Sequence, residues 1–316
     1  MQIADMHCDT VSAIYKARTS GLPAGLLSNP FQVDLDKMRR GGYLLQNFAV
    51  FVDIHNGENP YRCAKNQIAV FREEMEKNKG IIRQVRTMED IYENKRAGRI
   101  SALLTLEEGE ACEGNLDKLK EFYKDGVRMM TFTWNYENSL AGRDGLTPLG
   151  IAFLEEMEAL GIVPDVSHLP QAGFYDVCRL AKRPFVASHS NAAALCRHPR
   201  NLTDDMIRKI AGKGGVIGIN YYGLFLEEKP QDGIYFSRIK RIADHICHIM
   251  RIGGTGCVGL GSDFDGMDTH LELSDCSKMG LLGRELKSRG LSEREMEAVF
   301  CKNVLRIYKE YLKNDR

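Results

Sequence analysis

The chain reads as an α/β protein folded into a single (β/α)8 TIM barrel. Three observations predict this. Eight short apolar or β-branched runs punctuate the sequence, amphipathic stretches separate most of them, and several runs close on a histidine or a carboxylate. Strand-then-helix repetition favours parallel pairing with helices outside. Eight such units favour a closed barrel over an open doubly wound sheet.

The expected strands lie near 2–8, 43–53, 100–107, 127–134, 162–168, 185–189, 215–220 and 257–263. Helical patterns fall at Tyr61–Asn78, Leu116–Lys124, Leu149–Leu160, Thr203–Ala211 and Phe236–Arg251. Thr203 is placed to cap the helix that follows it, and Gly161 and Gly212 are placed to stop helices. Two further helices near 278–303 complete one domain spanning 1–316, since no repeat, linker or low-complexity block divides the chain. Gly214-Gly-Val-Ile-Gly218 lacks the Gly-x-Gly-x-x-Gly spacing of a dinucleotide loop.

With 316 residues and 43% hydrophobic content, the chain can bury one large core. Its 43 basic and 43 acidic side chains cancel, with no long run of either sign, which argues against a nucleic-acid or anionic-membrane partner. No apolar stretch approaches the roughly 18–20 residues that span a bilayer. Met1-Gln-Ile-Ala-Asp5 does not read as a secretory signal. The nine cysteines include no Cys-x-x-Cys pair, so reduced thiols and a cytoplasmic setting are expected.

Imidazole and carboxylate at several strand ends suit a divalent ion such as zinc, bound at one rim of the barrel. His7 and Asp9 are expected to alternate along the first strand, both facing the lumen, with Cys8 on the other side. Glu107 ends the third strand, where a carboxylate can offer one oxygen to each of two cations. Alternation lets only one of Glu107 and Glu108 face inward. Glu107 is preferred, leaving Glu108 and Glu110 as an exposed acidic turn. His168 and His189 close the fifth and sixth strands. Asp263 ends the eighth, where it can accept a proton from metal-bound water. Asp265 competes with it, and a turn-forming Asp-Gly is its bland alternative.

In order, Met6-His7-Cys8-Asp9, Leu106-Glu107-Glu108-Gly109, Asp165-Val166-Ser167-His168, Ser188-His189-Ser190 and Gly261-Ser262-Asp263-Phe264-Asp265-Gly266 resemble the renal (membrane) dipeptidase family of the amidohydrolase superfamily. The likeness runs from the first strand to the eighth and includes the segment Arg197-His-Pro-Arg200-Asn201. It implies a metallo-dependent hydrolase barrel with two Zn2+ ions per chain. His7 and Asp9 would hold one ion, His168 and His189 the other, and Glu107 would bridge them. Arg200 would grip the substrate carboxylate, with Arg197 as the nearby alternative. A bidentate guanidinium suits that task better than a lysine. The implied reaction is hydrolysis of dipeptides, including those with a C-terminal D-residue, by a hydroxide shared between the metals, with Asp263 relaying the proton. A homodimer is implied by analogy.

Animal members of the family carry an oxyanion-steadying histidine in a Leu-Thr-His segment after the fourth strand. This chain instead has Met130-Thr-Phe-Thr-Trp134-Asn135. Trp134 offers one indole N–H donor, and pocket wall or core packing is its alternative role. Tyr221 and Tyr222 are placed to line the pocket, His55 and His270 sit in rim loops, and His245 and His248 share an outer helix face. Rival readings are another amidohydrolase, such as a lactonase or deamidase-like enzyme, and a metal-binding homologue with weakened catalysis. A phosphotriesterase-like enzyme would open with His-x-His and carry a lysine on the fourth strand, and this chain has neither.

Overall fold

The computed structural model describes residues 1–228 and 235–313. Eight parallel strands close into a barrel: β1 (Ile3–Asp5), β2 (Tyr43–Phe51), β3 (Ile100–Glu107), β4 (Val127–Thr131), β5 (Val163–Asp165), β6 (Val186–Ala187), β7 (Val216–Ile219) and β8 (Val258–Leu260). Each pairs with its neighbours in sequence, and β8 returns to β1 with Asp5 opposite Leu260. The longest register joins β2 to β3, from Leu45 opposite Ser101 to Phe51 opposite Glu107. β3 is buried along its whole length, as expected of a strand with the lumen on one side and helices on the other.

Helices cover the outside as the sequence predicts. Pro60–Lys77 has Asn59 as its cap, Leu116–Asp125 and Pro148–Leu160 end on Gly126 and Gly161 in the left-handed region, and Thr203 caps Asp204–Gly212. Gly212 is that helix's last residue, and the left-handed turn falls two positions later at Gly214.

Most strands stop before the sequence pattern does. The runs at 2–8, 127–134, 162–168 and 257–263 shorten to Asp5, Thr131, Asp165 and Leu260 at their carboxyl ends. The extra residues are apolar enough to look extended, yet they belong to loops: His168 has φ 71° and Asp263 φ 62°. A three-residue strand, Ile82–Gln84, also pairs with the start of β3, ahead of the point where β4 takes over at Leu104.

Two helices follow β8 in the expected stretch, Gly280–Ser288 and Glu293–Glu297, and among the described residues a third, Asn303–Tyr311, comes after a π-turn at Ala298–Lys302. The last helix closes the amino-terminal end of the barrel. Its Val304, Ile307 and Tyr308 pack with Ala4, Leu103 and Val216 from the strands, and the Tyr308 hydroxyl donates to Asn47 Oδ1 at 2.8 Å. With that end plugged, access is from the carboxyl ends of the strands, where the loops of this fold carry their chemistry. Among the described residues, no helix is long and apolar enough to cross a membrane.

Candidate metal centre

The residues singled out at the strand ends converge. His7 Nε2 lies 3.3 Å from Asp9 Oδ2, 3.3 Å from Glu107 Oε2 and 3.7 Å from Asp263 Oδ1. Glu107 Oε1 faces the other way, 3.1 Å from His168 Nε2 and 3.6 Å from His189 Nε2. One carboxylate thus divides its two oxygens between two donor sets. His7 and Asp9 reach the site by a route other than strand alternation. β1 has ended, Cys8 forms a lone bridge with Phe264 of the β8 loop, and Asp9 is already the cap residue of helix α1 (Thr10–Thr19).

Two of the imidazoles, those of His168 and His189, are held in defined tautomers. His168 Nδ1 lies 3.0 Å from Asn135 Oδ1. An amide oxygen only accepts, so Nδ1 carries the proton and Nε2 presents a lone pair. His189 Nδ1 lies 2.8 Å from Ser188 Oγ, whose own hydrogen goes to Asp165 Oδ2. That hydroxyl therefore accepts from Nδ1–H, and His189 Nε2 is bare as well. The two Nε2 atoms are 2.8 Å apart. Two facing lone pairs repel, and a cation beside them removes the conflict. Asp9 Oδ1 is buried with no hydrogen-bond partner, another acceptor that a cation would satisfy. Two triads, His7–Glu107–His189 and His7–Asp9–Asp263, each hold their donor atoms within 4.8 Å of one another. The mixed imidazole–carboxylate donor set fits divalent metal binding.

The protein groups alone set unusual proton affinities. Burial opposes charge on His7, but Glu107 and Asp9 outweigh it and raise its pKa well above the ordinary imidazole range. Burial pushes His168 down to about 3 and His189 well below normal, keeping both neutral. Burial would lift Glu107, but His7 and His168 hold it below the usual carboxylate range. Asp263 rises to about 7, mainly through burial, with Asp9 and Glu107 adding repulsion. Its Oδ2 accepts from Asn220 Nδ2 at 2.9 Å, which leaves Oδ1 toward His7.

Asp265 does not point alongside Asp263. Both have positive φ, so strand alternation does not apply, and Asp265 instead ties the rim together by accepting from Thr10 Oγ1 and Gln32 N. Non-glycine residues at positive φ carry backbone strain, which clusters at functional sites. Gly266 backs the carboxylates: a Cβ there would stand 2.2 Å from Asp9 Oδ2 and 2.7 Å from Asp263 Oδ1.

A cleft of about 280 Å3 opens over the centre, with Arg200, Tyr222, Trp134 and Phe51 on its walls. Arg200 donates from Nη2 to the His189 carbonyl at 3.2 Å, while its buried Nε has no partner. Arg197 lies away from the cleft, exposed beside Glu228. Tyr222 lines the cleft, but Tyr221 is fully buried against Phe264 and does not. Trp134 stands between Phe51 and His168, with ring centroids 4.9 Å and 6.2 Å away. His245 and His248 are buried structural groups: His245 accepts from Ala192 N, and His248 pairs with Asp204.

Glu108 overturns the expectation of an exposed turn. It is fully buried at φ 90°, and its carboxylate accepts from Trp134 N at 2.8 Å, Glu110 N at 2.8 Å and Asn138 Nδ2. It anchors the loop that carries both Trp134 and Asn135. A second acid directly after a strand-end ligand, followed by Gly109, was the available signal.

A closed (β/α)8 barrel with a histidine–carboxylate centre at its carboxyl rim defines a metal-dependent hydrolase. The model for the membrane dipeptidase family, peptidase family M19, matches residues 1–316, and the chain belongs to that family of metallo-dipeptidases. The resemblance read from the ordered motifs is thereby borne out. An uncharacterized dipeptidase of Schizosaccharomyces pombe is 31% identical over 300 residues, covering 88% of this chain and 71% of the relative. A Klebsiella pneumoniae protein from the pqqA 5' region is 34% identical over 266 residues, covering 79% of this chain and 97% of its own. Among solved structures, the M19 metallo peptidase dipeptidase AC superposes with TM-score 0.89 at 25% identity, covering 99% of both chains. A Rhodobacter sphaeroides metallo peptidase, liganded with a phosphinate mimic of the dipeptide L-Ala-D-Ala, shares the fold with TM-score 0.89 at 24% identity, covering 98% of this chain and 99% of its own.

Proposed function

We propose that this protein hydrolyses dipeptides at a two-zinc centre, with His7 and Asp9 holding one ion, His168 and His189 the other, and Glu107 shared. The observation that carries this reading is the division of the Glu107 oxygens between the two donor sets. Bound there, zinc supplies Lewis acidity to a peptide carbonyl and brings the pKa of water down to about 7. Asp263 takes a proton at Oδ1 and returns it to the departing amine, while Asn220 fixes its other oxygen. Arg200 pairs with the substrate's free carboxylate, which limits substrates to short peptides ending in the cleft. Trp134 and Tyr222 wall the cleft and exclude water from the scissile bond. Acceptance of a C-terminal D-residue is part of this reading, and the phosphinate mimic bound to the Rhodobacter sphaeroides protein supports it. We propose a homodimer of one-domain chains by analogy, and a cytoplasmic setting from the nine free cysteines.

The test is a stereochemically varied dipeptide panel run on protein of known metal content. Release of amino acids from dipeptides, scaling with zinc occupancy, is the expected result. Two bound metals with no hydrolysis of any dipeptide would mean that the centre serves another role.

A further inference from the structure

Lys16 is a cleft residue that the reaction scheme leaves unused. It projects from α1 beside Ser12 and Ala13, which line the same wall, and its Nζ stands 5.4 Å from the centroid of the Phe51 ring. Among the described residues it forms no ion pair, whereas Arg18, two residues on, is engaged by Glu73 and Glu74. Of the cleft's acids, Asp9, Glu107 and Asp263 belong to the metal centre, and Asp265 is occupied by Thr10 and Gln32. Lys16 is thus a cation at the mouth of the cleft with no ion-pair partner among the described residues, and the acid that feels its charge, Asp9, belongs to the metal centre.

Barrel topology sets which part of a substrate it meets. Phe51 ends β2, and Arg200 lies in the loop after β6, four strands away in an eight-stranded ring, so the two stand on opposite sides of the carboxyl rim, across the cleft from each other. This step rests on the dipeptidase reading above. With the substrate carboxylate at Arg200 and the scissile carbonyl over Glu107, the N-terminal residue extends toward Phe51, Trp134 and Lys16. An extended dipeptide spans roughly 7 Å, so only the N-terminal residue reaches that side of the cleft. There the wall is aromatic near the metals and cationic at its outer edge. The matching side chain has a short apolar stem and an anionic tip.

We propose that Lys16 selects dipeptides whose N-terminal residue carries an acidic side chain, the stem packing on Phe51 and Trp134 and the carboxylate meeting Nζ. Lysine's flexible four-carbon stem suits it to follow side chains of either acidic length. The ion pair lies at an open edge, so its contribution is modest and sensitive to salt.

The experiment compares isosteric pairs, Glu-Ala against Gln-Ala and Asp-Ala against Asn-Ala, on the zinc-loaded enzyme. We expect kcat/KM to favour the acidic member by about two- to fivefold at low ionic strength. The ratio should fall toward one in about 0.5 M NaCl and in Lys16→Met. Lys16→Glu should reverse it and favour Lys-Ala over Gln-Ala. Calorimetric titration of Asp263→Asn protein with the same peptides reads the preference as a ratio of Kd values, independent of turnover. Equal values for both members of each pair, unchanged by Lys16→Glu, overturn the selectivity and leave the dipeptidase reading standing. No hydrolysis and no binding of any of the peptides overturns both.

Discussion

Asp5 and Asp165 occupy equivalent places four strands apart in the barrel. Each ends its strand, and each Oδ1 accepts two backbone N–H groups: Asp5 from His7 at 3.1 Å and Ser262 at 3.0 Å, Asp165 from Ser167 and Ser188, both at 2.9 Å. One donor lies two residues ahead in the same chain, and the other lies at the end of the adjacent strand. Each carboxylate thus clips two neighbouring strand ends together just before the chain turns into a histidine. Both are buried, at 0% and 2% exposure, so neither serves solvent or substrate. They hold the backbone from which the ligands project, and Asp165 also reaches His189 through the Ser188 hydroxyl.

That last link gives the first prediction. Ser188→Ala removes the group that fixes the His189 tautomer, so zinc affinity should drop about 10–100-fold, as when outer-shell partners of metal ligands are lost. Ser188→Thr keeps the hydroxyl and should retain most of the affinity. Competition titration against a chromophoric chelator measures both, and equal affinity in Ser188→Ala and wild type would show that the hydroxyl orients nothing.

Asp263→Asn keeps the shape of the side chain and can still accept from Asn220, but it cannot carry a proton to the leaving amine. kcat should fall by about 10²–10⁴-fold with zinc content unchanged. If metal is lost along with activity, Asp263 is a ligand and its role must be reassigned.

Replacing Arg200 with lysine sacrifices a two-pronged pair for a point charge. A hydrogen bond to a charged group contributes about 1.5–3 kcal/mol, so kcat/KM for dipeptides should drop by about tenfold or more. C-terminally amidated dipeptides should show a comparable loss on the wild-type enzyme, and little further loss on Arg200→Lys. A full additional loss on the variant would place the carboxylate elsewhere.

Gly266→Ala tests the packing behind the centre. The added methyl would lie 2.2 Å from Asp9 Oδ2, so the carboxylate or the loop must move. We expect weaker occupancy of the His7–Asp9 site, read by zinc analysis, with thermal stability lowered by about 1–3 kcal/mol, as for an overpacked site. Normal zinc content would mean that the loop yields without cost.

The barrel, and the set of strand-end residues that it brings together, were legible in the sequence because strand-end chemistry is local: Glu107 is the last residue of its strand, and His168 and His189 follow theirs within a few residues. The strand lengths were not legible. Val166-Ser167 and Gly261-Ser262 look extended, and nothing in composition announces that His168 and Asp263 adopt left-handed backbone. Glu108 departs from the expected exposed turn for a related reason, since alternation assumes that a strand continues where this one turns. Asn135 and Ser188 were invisible as orienting groups because their partners lie 33 residues away in one case and next door in the other, with no motif to flag them. Lys16 looks like any helical lysine until the closed ring sets it above Phe51.

The central claim is that Glu107 is shared between two metal ions, and elemental analysis of Glu107→Gln beside wild type tests it most directly. An amide cannot offer two anionic oxygens, so the account predicts about two zinc ions per wild-type chain, at most one in the variant, and no measurable dipeptide hydrolysis by it. A Glu107→Gln protein that still binds two ions and turns over dipeptides at the wild-type rate would contradict it.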